Sequence, residues 1–210
     1  MTRFDEFQDY FLGERSQLWE HQALVRSSAA CGDPELATEV MQWVDEHLGR
    51  HVEPKQIALE LGEMHERRRQ AGRRDGIDFR TGPGGLIDIE FLVQSLVLCH
   101  HRDHPQIRQA STTAAIAALA QSQVIGSDDA LILRTAYHFL RLVENRLSMM
   151  HRASIKAVPE EDASLRELAI RIGFEATLAG QPEERLRIEM DVHTDRVQEI
   201  FRRLHQESAD

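Results

Sequence analysis

The sequence is short of several residue types, and each shortage argues against a class of protein. Its 210 residues include only two cysteines, Cys31 and Cys99, which form neither a disulfide framework nor a CxxC zinc or redox motif, so both are expected to pack in the core. Basic residues number 25 against 35 acidic ones, for a net charge of -10, which argues against nucleic-acid binding. The longest apolar run, residues 91–99, is interrupted by Gln94 and Ser95 and is far shorter than the ~20 residues of a membrane-spanning helix.

The N-terminal residues 1–10 lack the basic segment and apolar stretch of a secretion signal, because acidic and aromatic residues alternate there. We therefore expect a cytoplasmic protein with no membrane span. Apolar content is ample, since 41% of the residues are hydrophobic. A chain of this length folds as one domain or two small ones and buries roughly 70% of its unfolded surface, so it needs no disulfide or metal.

Apolar residues recur at intervals of three and four along most of the chain, which predicts an all-α fold. Prolines such as Pro34 and Pro182 stand where these periodic stretches begin, and glycines such as Gly173 stand where they end. Trp19 and Trp43 are expected to anchor the packing. The pattern predicts a multi-helix bundle of about eight or nine helices, at residues 3–12, 15–30, 34–48, 55–72, 85–102, 105–122, 128–150, 162–172 and 182–206.

The predicted helix 85–102 is apolar around almost its whole circumference and is expected to run through the core. It nevertheless carries Asp88 and Glu90, which at ~100° per residue lie about 160° apart and cannot form a carboxylate pair. A buried carboxylate needs a partner, and Arg141 is a candidate for Glu90. An ion pair that ties this helix to the predicted helix 128–150 is the structural interpretation, and a role in function is the alternative.

A glycine-rich loop precedes that helix. Gly82, Gly84 and Gly85 would let backbone amides approach an anion, and the helix start adds a favourable dipole, so the loop predicts a phosphate site. No predicted strand precedes the loop, unlike a Walker or Rossmann loop, and a plain tight turn is the alternative. Asp88 in the first turn would repel a phosphate unless Mg²⁺ bridged the two or the side chain pointed away, and it could instead satisfy the amides at the helix start.

Two groups of basic residues give further hypotheses. His100 and His104 have the i, i+4 spacing of metal ligands, but only Asp103 is a nearby third ligand, and histidines at a helix C-terminus also interact favourably with the helix dipole. We therefore predict no metal site. Six arginines in or beside the loop could dock a polyphosphate or an acidic partner, or form an ordinary solvated face: Arg67, Arg68, Arg69, Arg73, Arg74 and Arg80.

Three stretches of the sequence resemble one known family. The sequence GPGGLIDIEF at 82–91, preceded by Arg80, resembles the signature of the helical domains in the bifunctional glutamine synthetase adenylyltransferase/adenylyl-removing enzyme. The similarity extends from about residue 5 to about residue 205. Two further stretches agree with this family in order and spacing, namely WEHQALVR at 19–26 followed by GDP at 32–34, and AY, FLR and ENRL between residues 136 and 147.

The resemblance implies a large bacterial enzyme with two nucleotidyltransferase units, each followed by a helical domain. One unit attaches AMP from Mg-ATP to a tyrosine of glutamine synthetase and the other removes it by phosphorolysis, under the control of the PII protein and glutamine. Residues 19–26 are closer to the C-terminal, adenylylating half. The resemblance divides this chain into the tail of a missing nucleotidyltransferase domain at 1–14, a helical segment at 15–80 and a helical bundle at 81–210, the last two forming one compact domain.

The catalytic unit of that family carries Gly-Ser followed about ten residues later by Asp-x-Asp, whose carboxylates hold two metal ions. In this chain Gly126-Ser127 directly precedes Asp128-Asp129 and is typical of a helix N-cap. We therefore assign no catalytic residue. The chain is expected to be a helical piece that, taken alone, neither transfers nucleotides nor binds Mg-ATP tightly.

The resemblance also implies two sets of site residues. The set that faces the nucleotide or the inter-domain cleft is Arg80, Gly82, Gly84, Gly85 and Asp88. The set that supports the helix of the motif is Glu90, Arg141 and Glu144. The expected partners are the nucleotidyltransferase domain, glutamine synthetase and PII, and the alternative is a regulatory module that binds PII or glutamine synthetase without contacting nucleotide.

Overall fold

The structure, a computed structural model, describes residues 3–13, 16–48, 78–151, 161–178 and 180–209, together with the isolated positions 55, 57, 59, 62, 63 and 158. Within these residues every regular element is a helix, apart from one isolated bridge between Thr177 and Gly180. The prediction of an all-α fold is therefore confirmed. The helices are α1 (Phe4–Leu12), α2 (Leu18–Val25), α3 (Pro34–Leu48), α4 (Leu86–His100), a 3-10 helix (Pro105–Ile107), α5 (Thr112–Gln121), α6 (Ser127–His151), α7 (Asp162–Ile172) and α8 (Pro182–Ala209).

Part of the predicted organisation lies outside the described residues. Of the predicted helix 55–72, the positions 55, 57, 59, 62 and 63 are described and are helical. Five of the arginines singled out in the sequence are not described: Arg67, Arg68, Arg69, Arg73 and Arg74.

The predicted helix 15–30 is shorter in the structure, where α2 ends at Val25. The hydroxyl of Ser27 donates to the carbonyl of Leu24 at 2.7 Å, and the Ser27 amide donates to the same oxygen at 3.0 Å. Serine side chains compete in this way for helix carbonyls, which ends the helix early.

The prediction of one continuous helix at 105–122 was wrong. Pro105 opens only a 3-10 turn that ends at Ile107, and α5 begins at Thr112. The guanidinium of Arg108 donates to the Ser27 carbonyl at 2.9 Å and to the Asp45 carboxylate at 3.0 Å. These tertiary contacts hold the chain in an extended connection where the local pattern alone favours a helix.

The described contacts divide the chain into two compact units, the first comprising 1–61, 91–126 and 208–210 and the second comprising 62–90 and 127–207. The division at residue 14, and the joining of residues 15–80 with 81–210 in one compact domain, stay predictions. Helix α4 contributes its first five residues to the second unit and the rest to the first.

In the first unit, α1 packs through its aromatic face. The rings of Phe4, Phe7 and Phe11 lie 6.4, 5.3 and 6.2 Å from the ring of Trp43, which acts as the predicted anchor. Trp19 does not, because it is 62% exposed. Helix α2 instead faces inward through other side chains, namely His21, Gln22, Leu24 and Val25.

In the second unit, α6 packs on α7. Leu133, Leu140, Val143 and Leu147 follow one another at helical spacing along α6 and are fully buried. Further core residues of this unit include Leu165 and Leu168 of α7 and Leu186, Met190 and Val197 of α8. No helix among the described residues is both long enough and apolar enough to cross a membrane.

The two cysteines differ in environment. Cys99 on α4 is half-buried, and burial raises the pKa of its thiol to about 11. Cys31 is exposed in the connection between α2 and α3, so the prediction that it packs in the core was wrong. The apolar residues around Cys31 in the sequence belong to an irregular segment, which helical periodicity does not describe.

Candidate functional site

The glycine-rich loop begins at Asp78, whose carboxylate organises the turn that follows. One carboxylate oxygen accepts from the amides of Arg80 at 3.1 Å and Thr81 at 2.7 Å. The other oxygen accepts from the hydroxyl of Thr81. Short aspartate side chains satisfy turn amides two and three residues on in this way, so the direction of the chain at Arg80 is fixed.

The three glycine amides that the sequence predicts as anion donors are hydrogen bonded within the loop. The amide of Gly82 donates to the Asp78 carbonyl at 3.1 Å, and that of Gly85 to the Gly82 carbonyl at 3.0 Å. The amide of Gly84 donates to the carboxylate of Asp88 at 2.7 Å. In this conformation the loop offers no glycine amide to a phosphate.

Asp88 takes the position at the helix start that an added anion would need. Its side chain is 1% exposed, and as a negative group in the first turn of α4 it interacts favourably with the helix dipole. The interpretation in which Asp88 satisfies a backbone amide at the helix start agrees with this geometry. A phosphate at the same place would meet a buried carboxylate.

The glycines are required by packing. Gly84 has φ +74°, and a Cβ atom added there would lie 2.1 Å from the carbonyl oxygen of Thr194 on α8. A Cβ on Gly82 would lie 2.3 Å from the Asp78 carbonyl oxygen, and one on Gly85 would lie 2.7 Å from the Phe79 carbonyl oxygen. Only glycine allows the loop to close on itself and on α8.

Next to this loop, two arginines share one carboxylate. Arg80 donates to one oxygen of Glu144, and Arg141 donates to the other oxygen at 2.5 Å. The side chain of Glu144 is 10% exposed, whereas those of Arg80 and Arg141 are 39% and 45% exposed. A buried carboxylate thus holds two half-exposed guanidinium groups at the surface of the second unit.

Glu90 has a different contact from the one that the sequence suggested. Its carboxylate accepts from the hydroxyl of Tyr137 at 3.0 Å, while the guanidinium of Arg141 contacts Glu144. Glu90 therefore contacts the helix that the sequence predicted, α6, but it does so through Tyr137 and not through Arg141. Tyr137 lies one turn before Arg141 on α6, and helical periodicity alone does not choose between neighbouring turns.

Sequence reasoning did not single out Asp78 or Thr194. An aspartate two residues before Arg80, at the start of a glycine-rich turn, is a recognisable turn signal that could have identified Asp78. Thr194 contributes a backbone carbonyl to a contact 110 residues away in sequence, and no local pattern predicts such a contact.

The histidines at the end of α4 are in a desolvated setting. Burial lowers the pKa of His100, and the charge of His104 lowers it further, while Asp103 opposes both. Among the described residues, no group of three or more His, Cys, Asp or Glu side chains is placed to hold a metal ion.

Within the first unit, an open groove of about 1140 Å³ runs along one face of α3. Met41 and Asp45 of α3 line it together with the buried His101. The Nε2 atom of His101 lies 3.1 Å from the backbone carbonyl oxygen of Asp45, and Arg108 pairs with the Asp45 carboxylate. The groove is therefore lined by both apolar and charged side chains, and Asp45 within it is held by His101 and Arg108.

Comparison with known proteins identifies the class to which this chain belongs. The model of the family described as GlnD PII-uridylyltransferase matches residues 55–205, and the chain is a member of that family. The matched range contains the loop, α4 and the arginine pair described above.

Curated relatives carry a more particular name, the bifunctional glutamine synthetase adenylyltransferase/adenylyl-removing enzyme. The chain is 33% identical over 195 residues to that of Streptomyces avermitilis, which covers 91% of this chain and 18% of the relative. It is 35% identical over 158 residues to that of Mycobacterium bovis, covering 73% of this chain and 16% of the relative. It is 37% identical over 149 residues to that of Mycobacterium avium, covering 70% of this chain and 15% of the relative.

The resemblance inferred from the residues is thereby confirmed as similarity to a domain of that enzyme. The chain spans less than a fifth of the length of these relatives, 15 to 18%. The names of the family and of the relatives differ in the group transferred, which is uridylyl in one and adenylyl in the other, and have nucleotidyl transfer in common.

Proposed function

We propose that this chain is the helical, non-catalytic part of a nucleotidyltransferase that adenylylates and deadenylylates a tyrosine of glutamine synthetase in the regulation of nitrogen metabolism. The observation that carries the proposal is the closed loop before α4, which sets Arg80 beside Arg141 at the surface of the second unit. A rigid loop that presents two cations suits the wall of a cleft shared with another domain. The proposal includes a cytoplasmic location.

The chemistry assigns different tasks to the two domains. When a tyrosine hydroxyl attacks the α-phosphate of ATP, negative charge on the phosphoryl oxygens must be stabilised by metal ions and positioned cations. The sequence lacks the Gly-Ser and Asp-x-Asp pattern of the family's catalytic unit, and the described residues offer no ligand set for a metal. We therefore derive no metal-dependent step for this chain and assign it positioned cations and shape.

A reconstitution experiment tests this proposal. Purified glutamine synthetase is incubated with Mg-ATP and with this chain, with the nucleotidyltransferase domain of a relative, or with both, and AMP on tyrosine is measured by mass spectrometry. We expect no AMP-tyrosine with the chain alone, and more with both than with the catalytic domain alone. AMP transfer by the chain alone would contradict the non-catalytic role, and an unchanged rate with both would contradict the role in the cleft.

A second candidate function is a regulatory module that binds PII or glutamine synthetase without contacting nucleotide. The groove along α3 favours it, because its volume of about 1140 Å³ is large enough for a segment of another protein. Titration calorimetry separates the two candidates. Heat with Mg-ATP that disappears in Arg80→Ala supports the first, and binding to PII or glutamine synthetase without heat from Mg-ATP supports the second.

A further inference from the structure

The outer surfaces of Arg80 and Arg141 are available to a ligand. A guanidinium group has five N–H donors in a planar fork. The described contacts of Arg80 and Arg141 use one nitrogen of each, Nη1, and both end on Glu144. The remaining donors belong to side chains that are 39% and 45% exposed.

Glu144 holds the two arginines in place before any ligand arrives. Its carboxylate is largely buried, and each of its oxygens accepts from one guanidinium. Ordering two long side chains in advance reduces the entropy lost on binding. Two positive charges around one negative charge leave a net positive charge at the cluster.

The surrounding face of α6 carries one further cation, Arg134, in a chain whose net charge is -10. From residue 131 to residue 151, Glu144 is the sole acidic residue in the sequence. Arg134, His138, Arg141 and Asn145 follow at spacings of four, three and four residues, which places them on one side of the helix, and all are exposed. Such a face attracts an anion.

Two other carboxylates of the candidate site, Asp78 and Glu90, are engaged by other donors. Asp78 accepts from the backbone of Arg80 and from Thr81, and Glu90 accepts from the Tyr137 hydroxyl. Neither is paired with the guanidinium of Arg80 or Arg141. The carboxylate that competes with an added anion for these two guanidinium groups is therefore that of Glu144.

From this geometry we infer that Arg80 and Arg141 form a binding site for a phosphate oxyanion, with Glu144 as the positioning residue. A phosphate has several oxygens around one centre and can accept from two guanidinium forks at once, which a single surface lysine cannot match. The inference rests on the proposed function, because a nucleotide in the shared cleft would supply such a group. Orthophosphate from solution has the same chemistry.

Titration calorimetry of the whole chain tests the site. Tripolyphosphate, orthophosphate and Mg-ATP are the probes, at ~50 mM and ~200 mM salt, with weaker binding expected at the higher concentration because the site is exposed. For the probe that binds, we expect the dissociation constant to rise ~10-fold in Arg80→Ala and in Arg141→Ala. Tripolyphosphate binding without orthophosphate binding assigns the site to a nucleotide, and orthophosphate binding assigns it to free phosphate.

Two further variants exclude trivial explanations. Arg171→Ala removes an arginine of the same unit that also pairs with one carboxylate, Glu167, and is 50% exposed, so it is expected to leave binding within ~2-fold of the original. Arg141→Lys keeps the charge and loses the planar fork, so it should give an intermediate loss. Circular dichroism confirms that each variant is folded.

The inference is overturned if no probe binds, or if Arg171→Ala weakens binding as much as Arg80→Ala does. Its failure is distinguishable from that of the proposed function. If no probe binds while AMP transfer in the reconstitution still requires the chain, the chain is still part of the enzyme and the phosphate site is wrong. If reconstitution fails while the anion binds, the site stands and the proposed function does not.

Discussion

At the scale of single residues, Gly84 combines two requirements that any other residue would violate. Its φ of +74° lies in the left-handed region, and its Cα faces the backbone of Thr194 so closely that a Cβ would lie 2.1 Å from the carbonyl oxygen. Gly173 at the end of α7 shares the positive φ but has open space where its Cβ would be. Comparing substitutions at Gly84 and Gly173 therefore separates the cost of backbone strain from the cost of steric overlap.

We predict that Gly84→Ala is far more destabilising than Gly173→Ala. The left-handed conformation costs a non-glycine residue about 1–2 kcal/mol, and this is the whole effect expected at Gly173. At Gly84 a further ~1–3 kcal/mol is expected from forcing the loop away from α8. Urea denaturation measures both, and equal losses in the two variants would contradict the close approach.

The two cysteines provide a second test at this scale. We predict that iodoacetamide at pH 8 modifies Cys31 at least ~100-fold faster than Cys99, since the thiolate is the reactive form and exposure controls access. The raised pKa of Cys99, about 11, keeps it in the thiol form. Peptide mass spectrometry follows each site, and similar rates in the native protein would contradict the burial of Cys99.

At the scale of elements, the sequence predicted helices best where a residue at the helix end itself marks the end. Helices α3 and α7 were predicted with the same limits that the structure has, 34–48 and 162–172, because Pro34 and Gly173 mark ends through their own backbone preferences. The predicted helix 105–122 failed because Arg108 is held by residues 63 and 81 positions away in sequence. Periodicity carries no information about such contacts.

The loop before α4 is the element on which the site depends, and its first residue can be tested. We predict that Asp78→Ala destabilises the second unit by about 1–2 kcal/mol, because the amides of Arg80 and Thr81 lose their acceptor. Asp78→Asn keeps one acceptor oxygen and should lose less. Thermal denaturation measures both, and a larger loss in Asp78→Asn than in Asp78→Ala would contradict the described hydrogen bonds.

The candidate site shows the same limit of sequence reasoning. The segment 80–91 was recognised from its residues, and the family match includes it. The sequence left both an anion site and a tight turn open for its glycines, because a glycine that admits an anion and a glycine that admits a helix backbone are identical in sequence. The partner of Glu90 was also missed, since Tyr137 and Arg141 lie on neighbouring turns of α6.

At the scale of the whole molecule, buried histidines connect stability to pH. Burial is the main cause that lowers the pKa of His100, His101 and His193. A histidine whose pKa is lower in the folded state binds fewer protons there than after unfolding. Its contribution to stability is present above pH ~6.5 and is lost as the pH falls below that value.

We therefore predict that the melting temperature falls between pH 7.5 and pH 5.5, and that the fall is smaller in His193→Gln. The ring of His193 packs 4.7 Å from that of Phe139 and is almost fully buried, so glutamine removes a titrating group from the core. His138→Gln at an exposed position is the control and should keep the full fall. A fall that is the same in all three proteins would contradict this assignment.

Amide hydrogen exchange of Gly82, Gly84 and Gly85 tests whether the loop is closed before any ligand binds, so that the arginines are the polar groups that this loop offers to an anion. A closed loop predicts that, without any ligand, all three amides exchange at least ~100-fold more slowly than the amide of the exposed Gly32, since hydrogen-bonded amides exchange only on opening. It also predicts that Mg-ATP leaves these rates unchanged. Fast exchange in the absence of ligand, with protection only when Mg-ATP is added, would contradict it.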